Sequence, residues 1–260
     1  MRKESFSDFQ PKVTLGWRPQ SNLNFYAGYS NGFRSGGFNQ TGVGAIAAAS
    51  GIVGVNDIFE AEEASTIEIG AKTSWLDNRL TLNAAAFTTK SENGYFFVFL
   101  AANSTQNLGN IPETRINGFE VDSVFKAAEG LDFNFGFGFT DSEIKDFPDP
   151  TAIGNEAPLI SRTTLNLGGQ YRTAISDALG LLTRLDYRRI GKTWWDVENS
   201  TVRDPVNLVD IRAGIEADRW SVTGYATNLL NAEYNAEFSP GGFVFKARPR
   251  VYGVEATYRF

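Results

Sequence analysis

Cysteine and histidine are both missing from the 260 residues. Without thiols there is no disulfide framework and no thiolate zinc site, and without imidazole no histidine metal site or His-dependent catalytic triad can form. No cofactor is expected. Methionine occurs once, against 21 Phe, 9 Tyr and 5 Trp, so much of the apolar mass is aromatic, the kind that suits pleated surfaces and membrane interfaces. Basic residues are outnumbered 24 to 30, giving a net charge of −6. That balance argues against a polyanion-binding surface, and no nucleic-acid partner is expected. Long apolar runs are scarce too: the longest, YFFVFLAA from Tyr95 to Ala102, is far short of the ~20 residues a spanning helix needs. The opening MRKESFSDFQPKV is basic but has no apolar stretch behind it, so it does not read as a secretory signal. For an exported protein, it would not be the native N-terminus.

What the sequence has in quantity is period-2 alternation. In LDFNFGFGFT the residues Leu131, Phe133, Phe135, Phe137 and Phe139 share one face, and Asp132, Asn134, Gly136, Gly138 and Thr140 the other. Similar segments recur from Val13, Leu15 and Trp17 through Ile67 and Ile69 to Val209, Ile211 and Ile215, about eleven strands in all, with no convincing amphipathic helix. Their opposite faces carry Asn24, Glu68, Lys72, Glu120, Asp122, Arg184, Asp186, Asp210 and Arg212 among glycines. One side of each ribbon is therefore greasy and the other wet.

The connections alternate in length. Short ones are expected at residues 18–21, 77–78, 127–130, 173–178 and 218–219, and long ones at about 34–62, 101–113, 145–160, 193–205 and 229–247. A soluble sandwich gives no reason for such alternation. An outer-membrane barrel does, with tight periplasmic turns and long outer loops. The stretch YAGYSNGFRSGGFN (26–39) then reads as an upward strand leaving its ladder for the first outer loop. The chain ends on RVYGVEATYRF, with Tyr252, Val254, Tyr258 and Phe260 on one face, as a closing strand with its aromatics in the periplasmic girdle would.

Five pieces in order carry a resemblance: YAGYSNGFRSGGFN, EEASTIEIGAKTSWLDNRLTLNAAAF, NGFEVDSVF, TNLLNAEY (227–234) and RPRVYGVEATYRF (248–260). Together they resemble the second half of the barrel of TonB-dependent outer-membrane receptors. The resemblance implies an all-β, antiparallel up-and-down transmembrane β-barrel segment, residues 1–260 forming the C-terminal half of a 22-stranded barrel. Plug domain, TonB box and first half are absent from it, as expected of a fragment or truncated gene product. It also implies the outer membrane of a Gram-negative bacterium and import of a scarce ligand, foremost a ferric siderophore. The implied partners are outer-membrane lipid and lipopolysaccharide, the barrel-assembly machinery, and the TonB–ExbB–ExbD complex acting through the missing N-terminal region. A passive porin and a soluble aromatic-rich β-sandwich are the alternatives. Extraction behaviour separates the sandwich, and an upstream plug sequence separates the porin.

On that resemblance the candidate ligand-binding residues lie in the outer loops. Phe33, Arg34, Phe38 and Asn39 come from the first, because guanidinium offers forked donors and stacks on rings, as an anionic aromatic iron chelate requires. Trp194 and Trp195 come from a later loop, and Tyr234, Phe238, Phe243 and Phe245 from the last; interfacial anchoring is the competing duty of such aromatics. Tyr252, Val254, Tyr258 and Phe260 are the candidate assembly signal. Asn228 and Asn231 read as architectural, bonding nearby backbone where a strand ends. GFRSGG lacks the spacing of a phosphate loop. Asp141, Glu143, Asp146, Asp149 and Glu156 read as a solvated acidic loop, not a calcium site. Glu120 and Asp122 suit a charged lumen wall better than hydrolysis, and the chain is not expected to be an enzyme.

Overall fold

The computed structural model describes residues 2–260. Eleven strands form one antiparallel sheet in chain order. They are β1 (Lys12–Gln20), β2 (Leu23–Arg34), β3 (Glu62–Trp75), β4 (Leu80–Leu100), β5 (Thr105–Ala128), β6 (Leu131–Asp146), β7 (Thr163–Ser176), β8 (Leu179–Ile190), β9 (Val206–Glu216), β10 (Trp220–Thr227) and β11 (Val251–Tyr258). Every strand pairs with its predecessor, leaving β1 and β11 as free edges.

Register explains why alternation in the sequence becomes a belt. Phe119 faces Phe139, Val121 faces Phe137 and Phe125 faces Phe133 across β5 and β6. The next strand continues the row with Phe135 opposite Leu167. These side chains stay exposed: Leu15 at 72%, Ile69 at 59% and Phe133 at 46%. No second layer of protein covers them among the described residues, so the greasy face must find its apolar environment outside the chain. The other face holds its charges in local pairs, Arg184 to Asp186 at 2.6 Å and Arg172 to Glu216 at 3.1 Å. Asn83 donates to Asp122 at 2.8 Å. Near β1–β3 a recess of about 690 Å³ is lined by Thr14, Arg18, Asn24, Tyr26, Glu68 and Lys72.

Glycine has a specific use on this polar face. The ring of Tyr26 lies over Gly70 and that of Phe87 over Gly118. A Cβ on either glycine would stand 2.5 Å from ring carbon, so no larger residue fits without displacing the aromatic.

At one end of the sheet the turns are tight, as at residues 76–79, where Leu76, Asp77 and Asn78 all adopt positive φ. Arg79 ties that turn to the next, donating to the carbonyls of Lys126 and Ala127 at 3.0 and 2.5 Å. At the other end the connections are long, with one correction. Residues 101–113, expected as a loop, are mostly strand: β4 runs 21 residues and β5 24, joined by a turn at 101–104. A tilted strand crosses a bilayer in about ten residues, so this pair projects well beyond the belt. A second difference is a helix, α1 (Val43–Ala49), inside the first long connection. Seven residues of VGAIAAA have no polar face to announce an amphipathic pattern.

The described residues have a conventional hydrophobic core only at this loop end. Val43 and Ala47 of α1 pack with Val55, Phe96, Leu100, Ile111, Ile144, Phe147, Ala152 and Val197. Three successive long connections thus bury their apolar side chains against the projecting tips of β4, β5 and β6.

Candidate functional site

The loop end gathers most of the sequence-derived candidates, and the structure separates those held as framework from those set around an opening. Asn39 is framework. Its side-chain amide donates to the carbonyls of Asn56 and Leu108, each at 2.7 Å, and its oxygen accepts from Leu108 N–H at 3.0 Å. Buried at 9% exposure, it clamps the first loop to β5 with its hydrogen-bonding capacity largely spent. Phe33 is half-buried and Phe38 exposed, with the guanidinium of Arg2 4.9 Å from the Phe38 ring centre. Arg34 is ion-paired with Glu62 and lies 3.9 Å from the ring centre of Tyr95. The Tyr95 hydroxyl in turn donates to the Ser35 carbonyl at 2.7 Å. Arg34 is more than half exposed, so its outer donors remain free at the rim.

Asp57 caps α1 from a distance. Its carboxylate accepts from Gly42 N–H at 2.8 Å and Gly44 N–H at 3.0 Å, serving a helix start whose own N-cap, Gly42, has no side chain. These backbone donors hold the Asp57 carboxyl below the ordinary carboxylate range.

The connections after β6 and β8 are locked together. Asn199 donates to the Glu156 carbonyl at 2.8 Å while Glu156 N–H donates back to its side-chain oxygen at 2.9 Å. Asn155 donates to the Val197 carbonyl at 2.9 Å, and Leu159 N–H to the Trp194 carbonyl at 2.8 Å. The acidic residues expected in one loop do not all lie there: Asp141, Glu143 and Asp146 are on β6, only Asp149 and Glu156 are in the connection, and the set diverges. Asp141 pairs with Arg162 at 2.7 Å, Glu143 with Lys145 at 2.6 Å, Glu156 with Lys192 at 3.4 Å, and Asp149 caps a short turn by accepting from Thr151 N–H at 2.9 Å. No group of three possible ligands converges on a metal position among the described residues.

Trp194 and Trp195 sit where a small hairpin, residues 193–194 with 202–203, rises from β8. Lys192 Nζ lies 4.4 Å from the Trp194 ring centre. Trp195 is buried; its ring meets Phe238 edge-on at 6.3 Å and the guanidinium of Arg203 at 5.5 Å. Phe238 belongs to a second hairpin, residues 235–239 with 243–246, in the connection from β10 to β11. Its far limb places Phe243 edge-on to Phe99 near the tip of β4, at 6.3 Å, and against Phe245 at 5.1 Å. Five strands lie between β4 and β10, so this hairpin reaches across the mouth of the sheet rather than standing above its own strands. Tyr234, half-buried at its base, accepts Ala247 N–H through its carbonyl at 2.9 Å.

Asn228 and Asn231 are architectural as expected. Both have positive φ. Asn228 Nδ2 donates to the Ala232 carbonyl at 3.0 Å, and Asn231 Oδ1 accepts from Arg250 N–H at 3.0 Å. Along β11 and just past it, Tyr252, Val254, Tyr258 and Phe260 are all exposed, Tyr258 and Phe260 touching edge-on at 5.2 Å at the far end. Sequence reasoning missed Tyr95, the platform under Arg34, and Arg203. A lone arginine in STVRDPV carries no pattern that would single it out.

An apolar belt facing outward, a charged and glycine-rich inner face, tight turns at one end and packed loops at the other define an outer-membrane β-barrel wall, open at two edges. The family model described as TonB dependent receptor-like, beta-barrel, matches residues 2–229, and the chain belongs to that family. A probable TonB-dependent siderophore receptor, PiuA of Acinetobacter baumannii, is 28% identical over 139 residues, which cover 54% of this chain and 17% of that protein. Among solved structures, the ferric yersiniabactin uptake receptor FyuA of Yersinia pestis superposes with a TM-score of 0.76 at 20% identity, over 96% of this chain and 37% of that one. The ferric preacinetobactin receptor BauA of Acinetobacter baumannii gives a TM-score of 0.72 at 19% identity, over 96% and 36%. The chain therefore spans little more than a third of the solved receptors it matches. Its family is one of receptors and transporters, not enzymes, whose members reside in the outer membrane of Gram-negative bacteria.

Proposed function

We propose that residues 1–260 form the C-terminal half of the barrel of an energy-coupled outer-membrane receptor importing a ferric siderophore. The observation that carries this reading is the pairing of an exposed apolar belt with a mouth spanned by an aromatic hairpin. The belt calls for lipid. The hairpin from Tyr234 to Phe245 sets aromatic rings over the opening, and the connection after β8 brings the Arg203 guanidinium against Trp195 beside Phe238, a surface suited to a planar, anionic chelate.

Strand direction bears on what completes the wall. In a ring of antiparallel neighbours the directions alternate, so the number of strands is even. With eleven here, β1 and β11 point the same way, and the missing arc contributes an odd number. Two copies of this chain inserted alike would join through parallel seams, so the arc is a different segment. On this reading it precedes residue 1 together with the plug, and the TonB–ExbB–ExbD complex acts through that N-terminal region. The outward row Tyr252, Val254, Tyr258 and Phe260 on β11 would be read by the barrel-assembly machinery before the seam closes.

The test is iron-limited growth of the source bacterium with and without the gene, supplied with radio-iron on anionic catecholate, carboxylate and neutral hydroxamate chelates. Loss of uptake of one chelate, dependent on the proton-motive force, supports the reading. Uptake that survives collapse of that force points to a passive channel, and indifference to every iron source overturns the siderophore assignment.

A further inference from the structure

Four buried side-chain atoms at the loop end have no hydrogen-bond partner among the described residues: Trp194 Nε1, Arg203 Nε, Asn235 Oδ1 and Ser239 Oγ. All four belong to two connections, the one following β8 and the one following β10. Unpartnered buried polar atoms are rare because each costs its full desolvation, so four in two adjoining loops form a pattern.

Arg203 is the centre of it. Its guanidinium faces the Trp195 ring at 5.5 Å, and Trp195 is backed by Phe238. One Nη donates to Thr193 Oγ1 at 2.9 Å. No carboxylate forms an ion pair with it among the described residues, whereas Arg34, Arg162, Arg172 and Arg184 each have one. Burial pushes its pKa below the ordinary value, an effect opposed by the nearby Tyr234 phenol, yet an arginine keeps its charge under any ordinary condition. A half-buried permanent cation on an aromatic floor, with Nε unspent and no carboxylate paired to it among the described residues, is complementary to an oxyanion that arrives from outside the chain.

We infer that Arg203, on its floor of Trp195 and Phe238, is an anion-anchoring site that takes a carboxylate or phenolate oxygen of the transported ligand and so selects anionic chelates over neutral ones. The inference deepens the import reading and rests on it for the identity of the ligand, but not for the existence of the site. A lipopolysaccharide phosphate offers the same oxyanion chemistry and is the rival source.

The experiment uses the complete receptor in detergent, with tryptophan fluorescence read during titration with iron-free citrate and with inorganic phosphate. A saturable change is expected in the native protein. It is absent in Arg203→Gln, weaker but present in Arg203→Lys, and silent in Trp195→Phe, while the resistance of the folded barrel to unfolding on gels stays as in the native protein. Ferric chelates form the second arm: affinity for an anionic tris-catecholate falls about tenfold or more in Arg203→Gln, with a neutral tris-hydroxamate unchanged. No saturable response to either small anion overturns the site, as does an equal loss for both chelates. A response that appears only when lipopolysaccharide is added assigns the arginine to lipid and overturns the ligand role. If citrate binds through Arg203 and no ferric chelate does, the siderophore reading falls and the anion site stands.

Discussion

The belt and the loop end are built from the same residues to opposite effect. Phe133, Phe135 and Leu167 in the belt stay substantially exposed on the protein, whereas Phe96, Leu100, Ile111 and Ile144 at the loop end are almost wholly buried. The first set is stabilised only when lipid replaces water around it. The second has its apolar partners within the chain and needs no membrane. A single ribbon, β4 with β5, passes from one regime to the other: Leu82 and Phe119 are exposed below, Phe96 and Ile111 buried by the loops above. What differs is not the side chains but what covers them.

The sharpest way to break this comparison is to place a charge in each region. Phe135→Arg on the outward face is expected to cost about 2–4 kcal/mol for the cation at mid-depth, with the lost transfer of the ring, about 1.5–3 kcal/mol, added to it. The folded, membrane-inserted yield should collapse, measured as the fraction of heat-modifiable protein in outer-membrane preparations. Asn134→Arg, one residue along and facing inward, should leave insertion near the native level. Equal losses for both would mean the two faces are not in different solvents.

Leu100→Ala tests the other region. Removing a side chain 1% exposed from a core of loops should cost about 2–5 kcal/mol, but locally. Insertion and belt stability should persist while α1 and the tips of β4 and β5 open to protease. A smaller and purely inner-face effect follows from Gly70→Val, whose branched side chain would displace the Tyr26 ring from its seat. Overpacking of this kind costs about 1–3 kcal/mol, and Tyr26→Ala in the same protein should recover most of it. No recovery would mean the ring and the glycine are not coupled.

How much of this was legible follows the same divide. The belt could be read because lipid on one face and water on the other impose strict alternation, so Phe133, Phe135 and Phe137 announced their strand, and each turn end fell close to where polar pairs such as Asp77 and Asn78 stand. Above the belt the rule fails for a physical reason. In YFFVFL the apolar residues run without alternation because the projecting strand meets protein on both faces, Phe96 against Phe147 and Phe99 against the last hairpin, with Phe97 between them left 52% exposed, so the tip of β5 passed for a loop. Asn39 stood among the first-loop candidates on its position alone, and only the fold shows its amide bonded to Asn56 and Leu108. Contacts between loops distant in sequence, such as Trp195 with Phe238, leave no local trace at all.

The smallest expected effect separates two carboxylates of the loop end by the reach of their bonds. Asp149 binds Thr151, two residues on, and Asp57 binds Gly42 and Gly44 across the first loop. Backbone donors hold both below the ordinary carboxylate range. A depressed folded-state pKa gives stability that is present above the unfolded value and lost as pH falls through the folded one. Both contributions are therefore complete at neutral pH and fade in acid, as pH falls through the ordinary carboxylate range toward the depressed folded values. Their consequences differ, because losing the Asp149 bonds frees one turn, whereas losing those of Asp57 uncaps α1 and loosens the loop carrying Val43 and Ala47 out of the core. Hydrogen exchange, corrected for intrinsic amide rates, should show residues 43–49 deprotected in acid before the rest of the loop end. Asp57→Ala should produce the same pattern at neutral pH, and Asp149→Ala should not. Equal deprotection in the two variants would make the long-range cap no more than a local turn.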